Sequence, residues 1–325
     1  MIRRILFGLP LPTWRQKHER LSKYQALPVF SSDAVSSVAY GPEEVLLVLM
    51  VTGAVAWKVS LPIAALIAVL IVVVATSYRQ TIYAYPHGGG SYTVARENLA
   101  THWGLVAAAA LLTDYVLTVA VSMASGVFAI VSAYPALAPY RTEICVGCIA
   151  FVALANLRGL RESGTLFAPP TYVFITSLFV LCGVGLFRLA TGAPVNYLIP
   201  PSQQVPVTGT LTFFLVLRAF SGGCSSMTGL EAVANGITAF RPPESRNAAT
   251  VMTWMAAILT TLVLGISYLA HVYRVFPAAH ETVLSQIARA IFGRNWFYFV
   301  IQYATAAILI LAANTAFQEI GRAHV

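Results

Sequence analysis

Residues 31–37 read SSDAVSS, and the chain continues through VAYGPEE (38–44) within an apolar segment long enough to cross a bilayer. Serine competes for backbone hydrogen bonds, glycine relaxes the backbone, and Pro42 has no N–H to give a helix. Together they predict a helix that unwinds after Asp33 and restarts near Pro42. Glu43 and Glu44 then fall in the new first turn, where the positive helix end suits acidic side chains. They read as structural. Asp33 is different, because an ionised group in hydrocarbon costs several kcal/mol, roughly 2.5–3.5 even on the insertion scale. One reading makes it a helix-terminus cap or the edge of an interface. The other makes it an ion ligand, with Tyr40 adding a phenolic oxygen or closing the site.

The same device recurs at residues 222–231, GGCSSMTGLE. Paired glycines, two serines, a threonine and another glycine make poor continuous helix. Irregular backbone survives at membrane depth only where it lines a cavity or is buried in protein. Thr228 and Glu231 are three apart and share a face if the helix resumes there. Glu231 reads either as a structural partner of the unwound backbone or as a ligand. Arg218, just before the break, either neutralises a carboxylate or snorkels outward. A third segment, TDYVLTVAVS (113–122), looks unbroken. It places Asp114, Thr118 and Ser122 at i, i+4 and i+8, one polar stripe along a helix. Such a stripe can glue helices together at about 0.6 kcal/mol per hydrogen bond, but an aspartate costs more than glue justifies. Three intramembrane carboxylates among small hydroxyls point to a buried cation site and hence to a transporter. Interruptions in the first and sixth segments, five apart, mark the inverted-repeat fold with its site at mid-membrane.

Working outward, 58% of residues are hydrophobic, 10% are charged, and mean hydropathy is +0.74. A soluble domain carries about 25% charged residues, so this is an all-α integral membrane protein. Apolar runs give eight candidate spans near 25–53, 58–83, 104–132, 143–158, 165–191, 208–238, 248–276 and 296–318. Residues 1–24 form an N-terminal segment, and 25–318 form one transporter domain. Alternating the connections puts twelve Lys and Arg residues on the side of the N-terminus and six on the other. That bias predicts a cytoplasmic N-terminus. The net charge of +8 sits at segment ends rather than on one face, so nucleic acid is not the implied partner; the lipid bilayer is. The opening MIRRILFGLPLP has too short an apolar run and no small-residue cleavage site for a signal peptide. Cys145 and Cys148 form a C-x-x-C pair, but in an apolar run with no second pair they read as packing, and no disulfide is assigned. The last residues, EIGRAHV (319–325), change character abruptly and match an in-frame adapter translation. The expectation is an artefactual tail on a transporter cut after about eight of twelve helices.

Two shorter stretches have their own readings. Residues 85–92, YPHGGGSY, are glycine-rich but lack the G-K-[ST] ending of a phosphate loop, and read better as a tight turn into a short gating helix. Residues 280–292 have helical apolar spacing with charges between, which suits either an external gate helix or an interfacial one.

Five stretches carry a resemblance to a known family: residues 27–43, 83–98, 112–122, 156–163 and 220–236. They resemble the KimA-type, KUP-like potassium transporters of the amino acid–polyamine–organocation (APC) superfamily, and the resemblance covers residues 3–318. It implies a twelve-helix LeuT/APC-type inverted-repeat fold with discontinuous helices 1 and 6, and potassium import coupled to protons. It also implies ion binding by Asp33, Tyr40, Asp114, Thr118, Ser122, Thr228 and Glu231. The resemblance further implies four more helices, and any cytoplasmic regulatory domain of the family, beyond residue 318, and the expectation is that this sequence lacks them.

The residues agree about the ion. Potassium takes several oxygen ligands, here carboxylate, hydroxyl, phenol and freed backbone carbonyls. No soft pair or histidine cluster offers a transition-metal site, and no cofactor is implied beyond the transported potassium and proton. A proton can share a site of neighbouring buried carboxylates, and Glu231 is the expected carrier. An amino-acid or polyamine permease is the competing reading. Asp33 stands where glycine backbone would hold a substrate carboxylate, and it would repel that group. An intramembrane aspartyl protease built on Asp33 and Asp114 lacks its G-x-G-D motif, and no H-E-x-x-H or G-x-S-x-G is present, so no enzyme is expected. The expected location is the cell membrane, with a homodimer among the admissible assemblies.

Overall fold

The computed structural model describes residues 20–157, 164–194, 197–199 and 206–322. The basic residues before Arg20, the RGLRES stretch at 158–163 and the final three residues lie outside these. The described residues are helical throughout, with isolated bridges (Leu21 to Phe240, Ala278 to Glu281) and no strands. The helices are α1 Lys23–Ser36, α2 Gly41–Leu49, α3 Val55–Ala84, α4 Ser91–Asn98, α5 Thr101–Ala133 and α6 Arg141–Leu157. They continue with α7 Gly164–Ala190, α8 Phe213–Gly223, α9 Ala232–Asn235, α10 Glu244–Val272, α11 Val283–Phe292 and α12 Trp296–Arg322. The change of composition at residue 319 does not interrupt α12.

Seven stretches among the described residues are long and apolar enough to cross a membrane, so the chain is a multi-pass membrane protein. The sixth of the eight expected spans, near 208–238, is no continuous helix. It divides into α8, a 3-10 turn at Cys224–Met227, α9, and a second 3-10 turn at Ile237–Ala239. The short fourth span gains length from a 3-10 turn at Pro135–Tyr140 that leads into α6.

Burial sorts the helices. Every residue of α1 from Ala26 to Ser36 is buried, including Ser31, Ser32, Asp33 and Ser36. By contrast, α3 leaves Leu66, Val69, Val72 and Val73 exposed. Leucine and valine facing hydrocarbon need no cover, whereas a serine-rich helix cannot face lipid and must lie at the centre. Around α1 pack α7, α10 and α12, while α3 runs along α10 and α5 along α12.

Helix ends are set locally. A capping box at Ser22 and Gln25 opens α1, with the Ser22 N–H donating to Gln25 Oε1 at 3.2 Å. Thr212 caps α8 by accepting from the Leu215 N–H at 3.2 Å, and Thr282 caps α11 by accepting from Ser285 at 3.1 Å. The buried faces of α11 decide between its two readings: Val283 to Ala288, Ala290 and Ile291 are all buried, so it is an interior helix rather than an interfacial one.

A polar network ties α11 to α5 and α12. Tyr298, fully buried, donates to the Ser132 carbonyl at 3.0 Å and lies 2.8 Å from Ser285 Oγ. Ser132 Oγ accepts from the Thr282 N–H at 3.0 Å, and Arg289 pairs in bidentate fashion with Glu281 at 3.0 and 2.8 Å. Removing the Tyr298 hydroxyl orphans a buried carbonyl. Tyr298→Phe is therefore expected to cost about 1–3 kcal/mol, read as a lower melting temperature in detergent.

Candidate functional site between the two helix breaks

Both interruptions lie where the sequence puts them, and they touch. The α1 helix ends at Ser36, a 3-10 turn covers Ser37–Ala39, and α2 starts at Gly41 with Pro42 in its first turn. The Ser36 hydroxyl donates to the Asp33 carbonyl at 2.8 Å. Ser37 Oγ lies 2.5 Å from the Ala34 carbonyl and 2.9 Å from the Ser226 carbonyl, so one proton is shared between the two breaks. Gly41 packs directly on the Ser226 hydroxyl, leaving no room for a side chain.

The second break turns at Gly229, whose φ of +81° favours glycine. A Cβ there would lie 2.7 Å from Asp33 Oδ2 and 2.9 Å from the Ala34 nitrogen. Gly229 is thus the floor on which the Asp33 carboxylate rests. Asp33 is buried, and its Oδ1 has no hydrogen-bond partner among the described residues. It lies within electrostatic reach of Asp114, Glu231 and Tyr40. The hydroxyls of Ser122, Ser225 and Ser226 are likewise buried and unpartnered among the described residues. Buried oxygens without donors cost free energy, which makes such a group suited to a cation.

All seven predicted residues fall on this region. Tyr40 is buried at the joint between α1 and α2 and adjoins Ser122, while Thr118 and Ser122 are buried on α5. Asp114, Thr228 and Glu231 line one cleft of about 450 Å³ between α3, α5 and the second break. Asp114 stays exposed at the mouth of that cleft, so the expected stripe is polar along its length but buried only at Thr118 and Ser122. Tyr40 lines another, smaller cleft of about 210 Å³ with Glu43, Glu44, Phe128 and Arg141.

One local expectation is corrected. Thr228 and Glu231 do not share the face of a resumed helix. Thr228 has extended backbone (ψ 139°), Gly229 is left-handed, and the helix restarts only at Ala232 with Glu231 as its cap. The two residues meet in the cleft because the chain turns at Gly229, not through helical spacing. Arg218 is exposed on α8 and pairs with no carboxylate among the described residues, so the neutralising reading fails. The glycine-rich stretch is a turn into α4, as expected. Its Gly89 N–H donates to the Ala234 carbonyl at 3.2 Å, and Gly90 packs on the Asn235 amide.

Three residues around Glu231 escape the sequence reading. Tyr115 donates to Oε1 at 2.8 Å, Ser91 to Oε2 at 3.2 Å, and Tyr78 approaches Oε2 at 3.5 Å. Tyr115 and Ser91 lie inside stretches quoted for other reasons. Tyr78 is one of two tyrosines near the end of an apolar helix, and no spacing marks it.

The described residues form a multi-pass helical bundle that gathers carboxylates and hydroxyls beside its two helix breaks. Residues 29–324 match the amino acid permease family, and the chain belongs to that family. Over 316 residues it is 48% identical to the potassium transporter KimA of Bacillus subtilis strain 168, an alignment that covers 97% of this chain and 52% of that protein. The chain spans about half the length of the curated relative it matches.

The two glycines of the second break make a contrasting pair. Gly229→Ala meets both a left-handed φ and the Asp33 carboxylate, and is expected to cost about 1–3 kcal/mol in thermal stability. Gly222→Ala places its Cβ 3.7 Å from Glu44, an ordinary contact inside a helix, and is expected to be neutral or stabilising. Equal melting shifts for the two would contradict the packing of Gly229 on Asp33.

Proposed function

We propose that this chain is the membrane part of a secondary active transporter that imports potassium together with protons by alternating access. The observation that carries the reading is Asp33: a buried carboxylate with an unpartnered oxygen, resting on the second helix break and within electrostatic reach of Asp114 and Glu231. Likeness to KimA, whose name states potassium transport, supports the choice of ion.

In this reading Asp33, Tyr40, Asp114, Thr118, Ser122, Thr228 and Glu231 supply the ion's oxygen ligands, supplemented by carbonyls freed at the breaks. Dehydrating potassium calls for several such oxygens at once, and no one helix can present them. Two helices broken at corresponding positions do so, as inverted repeats of the LeuT type require. Tyr40, buried at the joint of the first break, adds a phenolic oxygen and closes the site on its side. Glu231 carries the proton: three hydroxyl groups surround it, and a carboxyl group in such a cage can hold a proton in one half of the cycle and a charge in the other. The N-terminus lies in the cytoplasm of a cell whose plasma membrane the protein spans, in keeping with the twelve-to-six distribution of basic residues.

Symport makes energetic sense for scavenging. A potential of about 100 mV contributes roughly 2.3 kcal/mol per charge, and moving a proton with the ion doubles that term. Each pH unit across the membrane adds about 1.4 kcal/mol.

Rubidium uptake into proteoliposomes under an imposed inward proton gradient, with protein expressed from its full native gene, tests the reading. Uptake is expected to collapse in Asp33→Asn, by about tenfold or more for the loss of one charged ligand. In Glu231→Gln, residual uptake is expected to lose its pH dependence. Arginine, lysine and putrescine are expected not to compete. Entry of labelled arginine or putrescine without rubidium would move the chain to the organic-cation permeases, and unchanged pH dependence in Glu231→Gln would remove the proton from that residue.

A further inference from the structure

A second cleft, of about 460 Å³, lies beside the ion cleft between α3 and α4. Its polar lining comes from Ser77, Thr81 and Asn98, and it shares just Tyr78 and Ser91 with the ion cleft. These two side chains form the partition. Their hydroxyl oxygens are 3.2 Å apart, and both reach Oε2 of Glu231 from the ion-cleft side.

Chain direction places the second cleft near one membrane face. The α1–α2 segment crosses away from the N-terminus, α3 returns, and α4 follows at the end of α3, so Thr81 and Asn98 lie on the side where α1 begins. The short helix α4 carries its share of the partition as a unit with the second break. Ser91 is its first residue, and the preceding glycines are fastened to Ala234 and Asn235, just beyond Glu231. A shift of α9 therefore moves Ser91 against Tyr78, which is fixed on α3. Chemically the route suits a cation. Thr81 donates its proton to the Ser77 carbonyl at 3.2 Å, which turns its oxygen lone pairs to the cleft. Asn98 makes its contacts to Tyr85 and Val94 through Nδ2, the end that a cation avoids.

We propose that the Tyr78–Ser91 hydroxyl pair is the gate through which a cation leaves Glu231 for the second cleft, and that this cleft is the exit path on the N-terminal face. Both residues position the route rather than hold the ion in its main site. The inference rests on the cation-transport reading above.

Cys224 lines the ion cleft, beyond the gate, and serves as a native reporter. The test applies a membrane-impermeant cationic methanethiosulfonate to vesicles of each orientation and reads modification of the Cys224 peptide by mass spectrometry. In the Tyr78→Phe/Ser91→Ala double variant, the labelling rate from the N-terminal face is expected to rise about tenfold, as loss of the closing hydrogen bonds would allow. Labelling from the opposite face is expected to stay unchanged, and Ser91→Thr, which keeps the hydroxyl, is expected to retain the wild-type rate. An unchanged rate from the N-terminal face would overturn the gate, as would an equal rise from both faces, which reports general loosening. Rubidium uptake on the same preparations separates the two claims. Uptake by the wild type with unaltered Cys224 labelling in the double variant defeats the gate alone. No uptake by the wild type defeats the cation reading, whatever the labelling shows.

Discussion

A peptide group released from a helix inside a membrane has no water to turn to, and the architecture of this protein follows from where those groups go. The two interruptions answer each other. Ser37 bridges carbonyls of both, Gly41 packs on Ser226, and Gly229 packs on Asp33 and Ala34. Unwinding α1 after Ser36 leaves the Asp33 and Ala34 carbonyls to the hydroxyls of Ser36 and Ser37, and Ser37 reaches on to the Ser226 carbonyl of the second break. The close approach explains the glycines, since a single methyl group at position 41 or 229 would occupy space already filled by a serine hydroxyl or a carboxylate.

From that central contact the remaining layers follow. Ser31, Ser32 and Ser36 of α1 and Thr118 and Ser122 of α5 are buried, whereas Leu66, Val69, Val72 and Val73 of α3 face outward because they need no polar partner. The same logic makes the centre reactive. Packing satisfies some oxygens by hydrogen bonds, as at Ser31, whose hydroxyl donates to the Leu27 carbonyl at 2.6 Å, and leaves others, such as Asp33 Oδ1, without a partner among the described residues. A fully satisfied core would be more stable and would have nothing to offer an ion. In the proposed reading, unsatisfied oxygens at the breaks trade stability for a binding site, the exchange that functional sites generally make. Glu231 shows the intermediate case. Its carboxylate is held by hydroxyls from α3, α4 and α5, so that it senses the relative position of three helices at once.

Much of this was legible in residue order. The break at 37–40, the restart at Pro42, the unbroken α5 and the turn into α4 all rest on local chemistry: proline and glycine backbone, serine competition, apolar length. The seven candidate ligands were legible for a related reason, since a carboxylate or hydroxyl in an apolar segment stands out against its neighbours. Tyr78 did not, because a tyrosine near a helix end is as much at home at a membrane interface as at a site. The face shared by Thr228 and Glu231 was misread, because helical spacing was extended across a glycine that takes a left-handed turn.

By itself, then, the order of residues determined which segments enter the membrane, where two of them break, and which side chains are too polar to be there without a partner. These are properties of a residue and its immediate neighbours, and they survive without knowledge of the rest. Tertiary structure alone decided that the two breaks meet, that Gly229 supports Asp33, that Tyr40 is buried beside Ser122, and that Tyr78 and Ser91 converge on Glu231 from separate helices. Such pairings join residues up to about two hundred positions apart. They depend on helix packing within a few ångströms, which no local pattern encodes.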